Sequence, residues 1–429
     1  MVHWAAMGAA LIALTACDGS GKEAASVVES GAPMPLTEDV LSTTSATRMK
    51  GLVDALADDA MGGRVTGSPG HLMAMNLIVE EMAAIGLEPI GMEGDFVYPY
   101  PATPRDDFYQ VNSDGSISIA HAEVAYDIVG RLEGSNPEKS HEHILVMAHY
   151  DHLGVDETGD VFNGAFDNAA GVAVALELAR VLIEQPPERS VVFLISDEEE
   201  SGLDGARVWL ADSTVPREQI VYGFSVDPVG RPSLPDYWPT LIIGAERSPE
   251  LLESWRSMSE WNDLPTVFLN RDLVPVFASD QDELYKLDPP IPGFWFVNPG
   301  FSFYHTVDDA AETIDYRIMK ADVRFLANAL TSSAAADIDY SFDADVPLDG
   351  EAARGVQDMI LGLKSSGFLN VSEREYADFV LELVDQAIEA DDLNAVGNLE
   401  AFSVAVAYFV MFDLGASHPG PIPPPFPEE

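Results

Sequence analysis

Cysteine is almost missing from this chain: Cys17 is the only one in 429 residues. With no second thiol, a disulfide within one chain is excluded, even for an exported protein. Positive charge is scarce as well. Lys and Arg total 22 against 72 Asp and Glu, a formal net charge of −50. A field of that sign repels phosphate backbones and anionic headgroups, so nucleic acid is not an expected partner, whereas cations and metal ions are. The acidic excess is spread along the chain and reads first as a solvated surface. Long apolar runs are lacking too. Residues 4–15 and 401–411 are both too short to span a bilayer, and the first has the length of a signal-peptide core. There is no internal repeat.

What is present is enough for a large core: the hydrophobic fraction is 47%, and the length suits one big α/β domain or two domains. Leu14-Thr15-Ala16-Cys17 resembles a bacterial lipobox, which implies that residues 1–17 are a lipoprotein signal peptide and that Cys17 carries a lipid anchor. The protein is then expected in the periplasm or cell envelope, in contact with membrane only through that anchor. Residues 18–45, rich in Gly, Ser, Ala, Pro and acids, read as a flexible tether. The main domain is expected over 46–340, a helical C-terminal extension over 341–415, and a Pro-rich tail over 416–429.

Within the main domain, Ser68 as N-cap, Pro69 at the first helical position and Gly86 as terminator predict a helix between them. Strand-like runs follow at 96–100 and 124–132. The continuous apolar runs 144–148 and 191–195 predict strands buried on both faces. A helix is expected from Asp167 or Asn168, and others over 203–210, 249–261 and 316–335. Further strands are expected at 220–226, 240–243 and 294–297, and further helices at about 351–364, 373–389 and 394–413. Strands alternating with helices in this way indicate an α/β fold, a doubly wound, mostly parallel mixed sheet sandwiched by helices.

In such sheets ligands collect outside the carboxyl ends of the strands. His149, the acidic cluster Asp197–Glu200 and Asp227 each follow an apolar run at once, so they should meet there. Two divalent ions need a bridging carboxylate and further His or carboxylate ligands. The candidate metal ligands are His149, Asp167, Glu200, Asp227 and His305. Asp151 can hydrogen-bond the His149 ring from behind, and Glu199 remains as the acid for proton transfer. Singly, each has a plainer explanation: Asp167 as a helix N-cap, the glutamates as a solvated face, His305 as a packed ring. Those explanations do not predict that acids and histidines recur at the mouths of successive buried strands.

The stretches His149-Tyr150-Asp151-His152, Gly164 to Val172, Glu199-Glu200-Ser201-Gly202-Leu203, Val226-Asp227-Pro228-Val229-Gly230 and His305-Thr306-Val307-Asp308-Asp309 together resemble the bacterial leucyl aminopeptidase family of co-catalytic di-zinc exopeptidases. Its wider superfamily includes glutamate carboxypeptidase and glutaminyl cyclase. Gly63-Arg64 and Thr66-Gly67-Ser68-Pro69-Gly70 also match, so the likeness covers about 50–330. It implies two zinc ions, or other divalent metals, bridged by Asp167, with His149 and Asp227 on one and Glu200 and His305 on the other. Glu199 would be the general base, with Glu198 and Glu199 as the competing register. The implied activity is aminopeptidase action on peptides; carboxypeptidase or cyclase action on the same fold and a non-catalytic binding lipoprotein are the alternatives. The chain departs from the family at Asp227-Pro228 and at Ser279-Asp280-Gln281, with no tyrosine just upstream of the latter to stabilise an oxyanion. Substrate specificity is therefore expected to lie in the loops 279–285 and 299–304.

Overall fold

In the computed structural model the apolar runs 144–148 and 191–195 are strands, each one residue longer at both ends than expected. The structure describes residues 36–411 apart from 113, 233, 235, 236, 276, 277 and 368. Cys17 and the segment around it, and the Pro-rich tail, lie outside the described residues. In chain order the strands are β1 (Glu88–Pro89), β2 (Val97–Pro101), β3 (Tyr109–Val111), β4 (Ile117–Ile119), β5 (Val124–Leu132), β6 (His143–His149), β7 (Ser190–Ser196), β8 (Ile220–Val226), β9 (Thr240–Ile243), β10 (Thr266–Leu269) and β11 (Gly293–Val297).

Nine of them form one mixed sheet in the order β1-β5-β7-β6-β8-β11-β9-β10, with β2 also on β5; β3 and β4 make a separate hairpin. The four central strands β7, β6, β8 and β11 are mutually parallel, whereas β5 and β9 run antiparallel to them on either side. Parallel strands need both faces covered. Successive side chains leave a strand on opposite faces, and the packing follows that alternation. Ile144, Val146, Val191 and Phe193 pack into one apolar cluster with the helices Pro69–Ile85, Ala170–Glu184 and Tyr316–Ala335. Leu145, Met147, Val192 and Leu194 pack into the other, with Trp209 and Leu210 of the helix Asp204–Ala211. Full burial of one such side chain contributes about 1.5–3 kcal/mol.

Helix signals behave as local chemistry predicts. Ser68 accepts from the His71 N–H, Pro69 opens the helix, and Gly86 closes it in a left-handed conformation. The C-terminal helices Gly350–Ser365, Val371–Ala390 and Leu399–Met411 pack on β9, β10 and the end of β11 through Leu241, Val267, Trp295 and Val297. A Cβ at Gly355 would stand 2.0 Å from the Phe268 carbonyl oxygen, so that helix lies directly against β10.

Three expectations are revised. The segment expected to be a tether to residue 45 is folded from Leu36 onward. Leu36 and Leu41 are buried in the main cluster, and the Leu36 N–H donates to Asn328 Oδ1 at 2.7 Å. The helix after the Asp167 loop begins at Ala170, not at 167 or 168. Asp167 has non-helical backbone angles because its N–H and that of Phe166 donate to the Asp309 carboxylate. The capping role passes to Asn168, whose Oδ1 accepts from the Gly171 N–H at 3.0 Å. Finally, β1, β10 and the β3–β4 hairpin are strands where none was expected; each strand is four residues or shorter, and none is buried throughout.

Candidate metal centre

The register places the four central strand ends level: His149 of β6 pairs with Ser196 of β7, Met147 of β6 with Ser225 of β8, and Val226 of β8 with Phe296 of β11. The residue or loop after each end therefore projects over one edge of the sheet.

His149 lies at the centre of the first half of the site. Its Nε2 is 3.1 Å from Asp167 Oδ1, 3.3 Å from Asp227 Oδ1 and 4.0 Å from Glu199 Oε2. In the second half, His305 Nε2 lies 3.0 Å from Asp167 Oδ2 and 3.2 Å from Glu200 Oε2. Asp167 thus gives one oxygen to each half. Side chains of His149, Glu199 and Asp227 form one group able to hold a cation, and those of His152, Asp167 and Glu200 form another. All the candidate ligands, His149, Asp167, Glu200, Asp227 and His305, are brought together, and Glu199 stands beside them.

Which glutamates face the site is decided behind it. The Asp151 carboxylate accepts from the backbone N–H of Glu199 at 3.1 Å and of Glu200 at 3.2 Å, and its Oδ1 lies 3.4 Å from His149 Nδ1. Glu198, with φ +56°, turns the other way. Its carboxylate accepts from the Thr103 N–H, and burial pushes it up to about 8. Glu199 and Glu200 are therefore the pair in the site. The same turn is held from its other side by Asp197, which meets His71 Nε2 at 2.8 Å and the Thr66 hydroxyl at 2.7 Å. That contact gives the upstream Thr66-Gly67-Ser68-Pro69-Gly70 motif a physical role.

Two buried arginines brace the Asp167 loop. Arg64 donates to the carbonyls of Tyr150, Asn163 and Gly164. Burial lowers it to about 10 against the pull of Asp167, Asp309 and other acids. Arg231 donates to Asp309 Oδ1 at 2.5 Å, and Asp309 in turn holds the backbone of Phe166 and Asp167.

The electrostatics favour added positive charge. Burial raises Glu199 well above the ordinary carboxyl range, with Asp227, Glu200 and Asp280 adding to it against His149. Burial disfavours a charged His149, yet Asp227, Glu199, Asp151 and Asp167 outweigh it and hold the ring well above its usual value. Asp167 Oδ2 and His305 Nε2 approach to 3.0 Å, yet neither has a hydrogen-bond partner. Buried polar atoms are normally paired, so close approach without a bond is the arrangement of ligands that share an ion. The donor set, carboxylate oxygen and imidazole nitrogen, suits zinc and other divalent metals.

Several functional neighbours were not anticipated. His152 is one, although it stands within the His149-Tyr150-Asp151-His152 motif. Its Nδ1 is 2.8 Å from Glu200 Oε1. Tyr304 stacks on His305 with ring centroids 3.8 Å apart, and burial with Asp167, Glu200, Glu199 and Asp227 nearby raises its hydroxyl, keeping it a donor. The Ser279-Asp280-Gln281 stretch, expected to carry specificity, is buried scaffold instead. Ser279 donates to Asp227 Oδ2 at 2.6 Å, and Gln281 accepts from Ser225. Polar side chains this far inside find protein partners, and these find a candidate ligand and a strand.

Residues 127–330 match the model of Peptidase family M28. A probable zinc metalloprotease of Pyrenophora tritici-repentis is 42% identical over 83 residues, 19% of this chain and 18% of that protein. The alkaline phosphatase isozyme conversion protein of Escherichia coli K12 is 27% identical over 152 residues, 34% of this chain and 40% of that protein. The chain thus matches less than half the length of these curated relatives. Among solved structures, an aminopeptidase from Aneurinibacillus sp. strain AM-1 superposes with a TM-score of 0.51 at 17% identity, over 71% of this chain and 96% of that one. Glutaminyl cyclase of Porphyromonas gingivalis does so at 0.50 and 19% identity, over 68% and 99%. These likenesses show the fold, a mixed sheet flanked by helices.

Proposed function

We propose that this chain, whose residues 127–330 match the model of Peptidase family M28, is a zinc-dependent exopeptidase that removes N-terminal residues from peptides. The observation that supports this best is the division of Asp167 between the two halves of the site, with His149 and Asp227 on one side and Glu200 and His305 on the other. In this reading His149 and Asp227 would hold one zinc, Glu200 and His305 would hold the second, and Asp167 would serve both. Bound zinc supplies Lewis acidity toward a peptide carbonyl and a nucleophilic water at neutral pH.

The chain supplies the rest. Glu199 takes a proton on its carboxylate during attack and returns it to the leaving amine. Asp151 keeps Glu199 in place through its backbone and steadies the His149 ring. The Tyr304 hydroxyl is the group we assign to the developing oxyanion, where a preset donor acts most strongly.

Aminopeptidase action is favoured over carboxypeptidase action by charge. The arginines beside the centre among the described residues are engaged: Arg64 with carbonyls, Arg231 with Asp309, and Arg105 with Asp107 and the Glu200 carbonyl. A substrate carboxylate would meet acids without a free cation, whereas an α-ammonium group is attracted by the same acids. On the strength of Leu14-Thr15-Ala16-Cys17 we place the activity at the cell envelope.

The test is hydrolysis of a panel of free and N-blocked aminoacyl and peptide substrates, with and without chelator. Cleavage is expected only of substrates with a free N-terminus, abolished by chelation and restored by zinc. Cleavage of blocked substrates alone, or indifference to chelation, would overturn the reading, and cyclisation of N-terminal glutamine without hydrolysis would replace it with cyclase activity.

A further inference from the structure

His152 is not among the residues assigned above, and it sits inside the second half of the site. Its Nδ1 lies 2.8 Å from Glu200 Oε1 and 3.8 Å from Asp167 Oδ2, and its ring meets that of His305 edge-on at 5.8 Å between centroids. The side chain is fully buried. Gly164, at φ +57°, backs the ring: a Cβ there would stand 2.6 Å from His152 Cδ2, so no other residue leaves the imidazole where it is. Its Nε2 has no hydrogen-bond partner. The ring thus has one hydrogen-bonding engagement, through Nδ1.

We propose that His152 is a positioning residue for the second metal ion: it donates its Nδ1–H to Glu200 Oε1 and so directs Glu200 Oε2 toward His305 and Asp167. The two oxygens of Glu200 are already divided in this way, Oε1 to His152 and Oε2 to His305 at 3.2 Å. The Glu200 backbone is fixed separately, by its N–H to Asp151 and by Arg105 on its carbonyl. His152 therefore governs the carboxylate alone. The first half of the site, His149 with Asp227, has no contact with it. An outer hydrogen bond to a metal ligand is typically responsible for about 10- to 100-fold in affinity. The effect should fall on one ion of the two. This inference rests on the di-zinc reading.

The test is calorimetric titration of zinc into the metal-free full-length protein, with cobalt(II) absorption as the second readout. His152→Ala should weaken the second zinc equivalent by about 10- to 100-fold, leave the first unchanged, and lower kcat more than it raises KM. His152→Asn should restore the second equivalent to near wild type, because the amide nitrogen sits as many bonds from Cβ as Nδ1 does. His152→Gln, which reaches the Nε2 position instead, should not. If His152→Ala fails to fold, the contrast between Asn and Gln decides. Wild-type affinity for both equivalents in His152→Ala, or equal weakening of both, overturns the proposal. So does loss of the second equivalent in Asn and Ala alike with an altered cobalt spectrum, which would make His152 a ligand. A wild-type protein that binds two zinc ions but cleaves no peptide would remove the proposed activity and leave this inference standing, whereas a wild type that takes up no zinc overturns both.

Discussion

The two halves of the site are built differently. His149 ends one central strand and Asp227 directly follows another, and the His149 side chain is only 1% exposed. The half formed by Glu200 and His305 depends on a loop: His305 arrives from far downstream with φ +55°, and its side chain is 35% exposed. The first half inherits its geometry from strand register. The second must be assembled, and His152, Asp309 and Arg231 are the parts that assemble it.

The largest effect should come from the acid that stands beside the first half as the proposed base. Glu199→Gln is expected to reduce turnover by about 1,000-fold while zinc content, measured by mass spectrometry of metals, stays near wild type. Loss of metal with activity would mean that Glu199 is a ligand of the first half and not the base. If Glu198→Gln gave the same loss, the role of Asp151 in selecting the glutamates would be refuted.

Next in size is the brace between the halves. Asp309→Ala removes the acceptor for Phe166 N–H and Asp167 N–H and leaves Arg231 buried without its carboxylate. Breaking a buried pair in this way typically costs about 3–5 kcal/mol, to be read from denaturant unfolding of the metal-free protein. An unfolding free energy within about 1 kcal/mol of wild type would show that the second half does not depend on this brace.

A smaller and more selective change is expected at His305. His305→Ala should lose the second zinc equivalent and keep the first. Equal loss of both would erase the distinction between the halves.

The glutamate turn shows how much of this was legible in advance. An apolar run ending in Asp197-Glu198-Glu199-Glu200 announces a strand mouth lined with acid, and the spacing to Gly202-Leu203 favours the later pair. Orientation is another matter, because three adjacent glutamates are chemically identical and only their partners, Thr103 for one and Asp151 for the next two, tell them apart. Those partners lie about 50 to 95 residues away in the chain. Nothing local encodes the difference.

The smallest prediction tests a buried acid away from both halves. Asp322, on the long helix Tyr316–Ala335, accepts from the Thr240 hydroxyl at 2.9 Å, and burial pushes it up to about 7 against that hydrogen bond. A carboxyl raised in the fold keeps its proton longer there than in the unfolded chain, whose ordinary value is 3.8. Its contribution to stability is therefore present below that value and lost as pH rises toward 7. Asp322→Asn should remove this term, so that relative to wild type the variant gains at least about 1.4 kcal/mol between pH 4 and pH 7.5 in denaturant unfolding. No such gain would mean that Asp322 is ionised in the fold, as the acids of the site are expected to be once metal is bound.

Sequence by itself determined the central strands, most of the longer helices and the list of acids and histidines at the strand mouths, because burial on two faces, capping and helical periodicity are written in neighbouring residues. It also excluded a disulfide within one chain, since that follows from composition alone. Tertiary structure decided the rest: that Asp167 spans two halves, that Glu198 is turned away, that Ser279 supports a ligand, and that His152 faces Glu200. Each of these depends on a contact between segments far apart in the chain, and such contacts are fixed by packing and register, not by any local pattern.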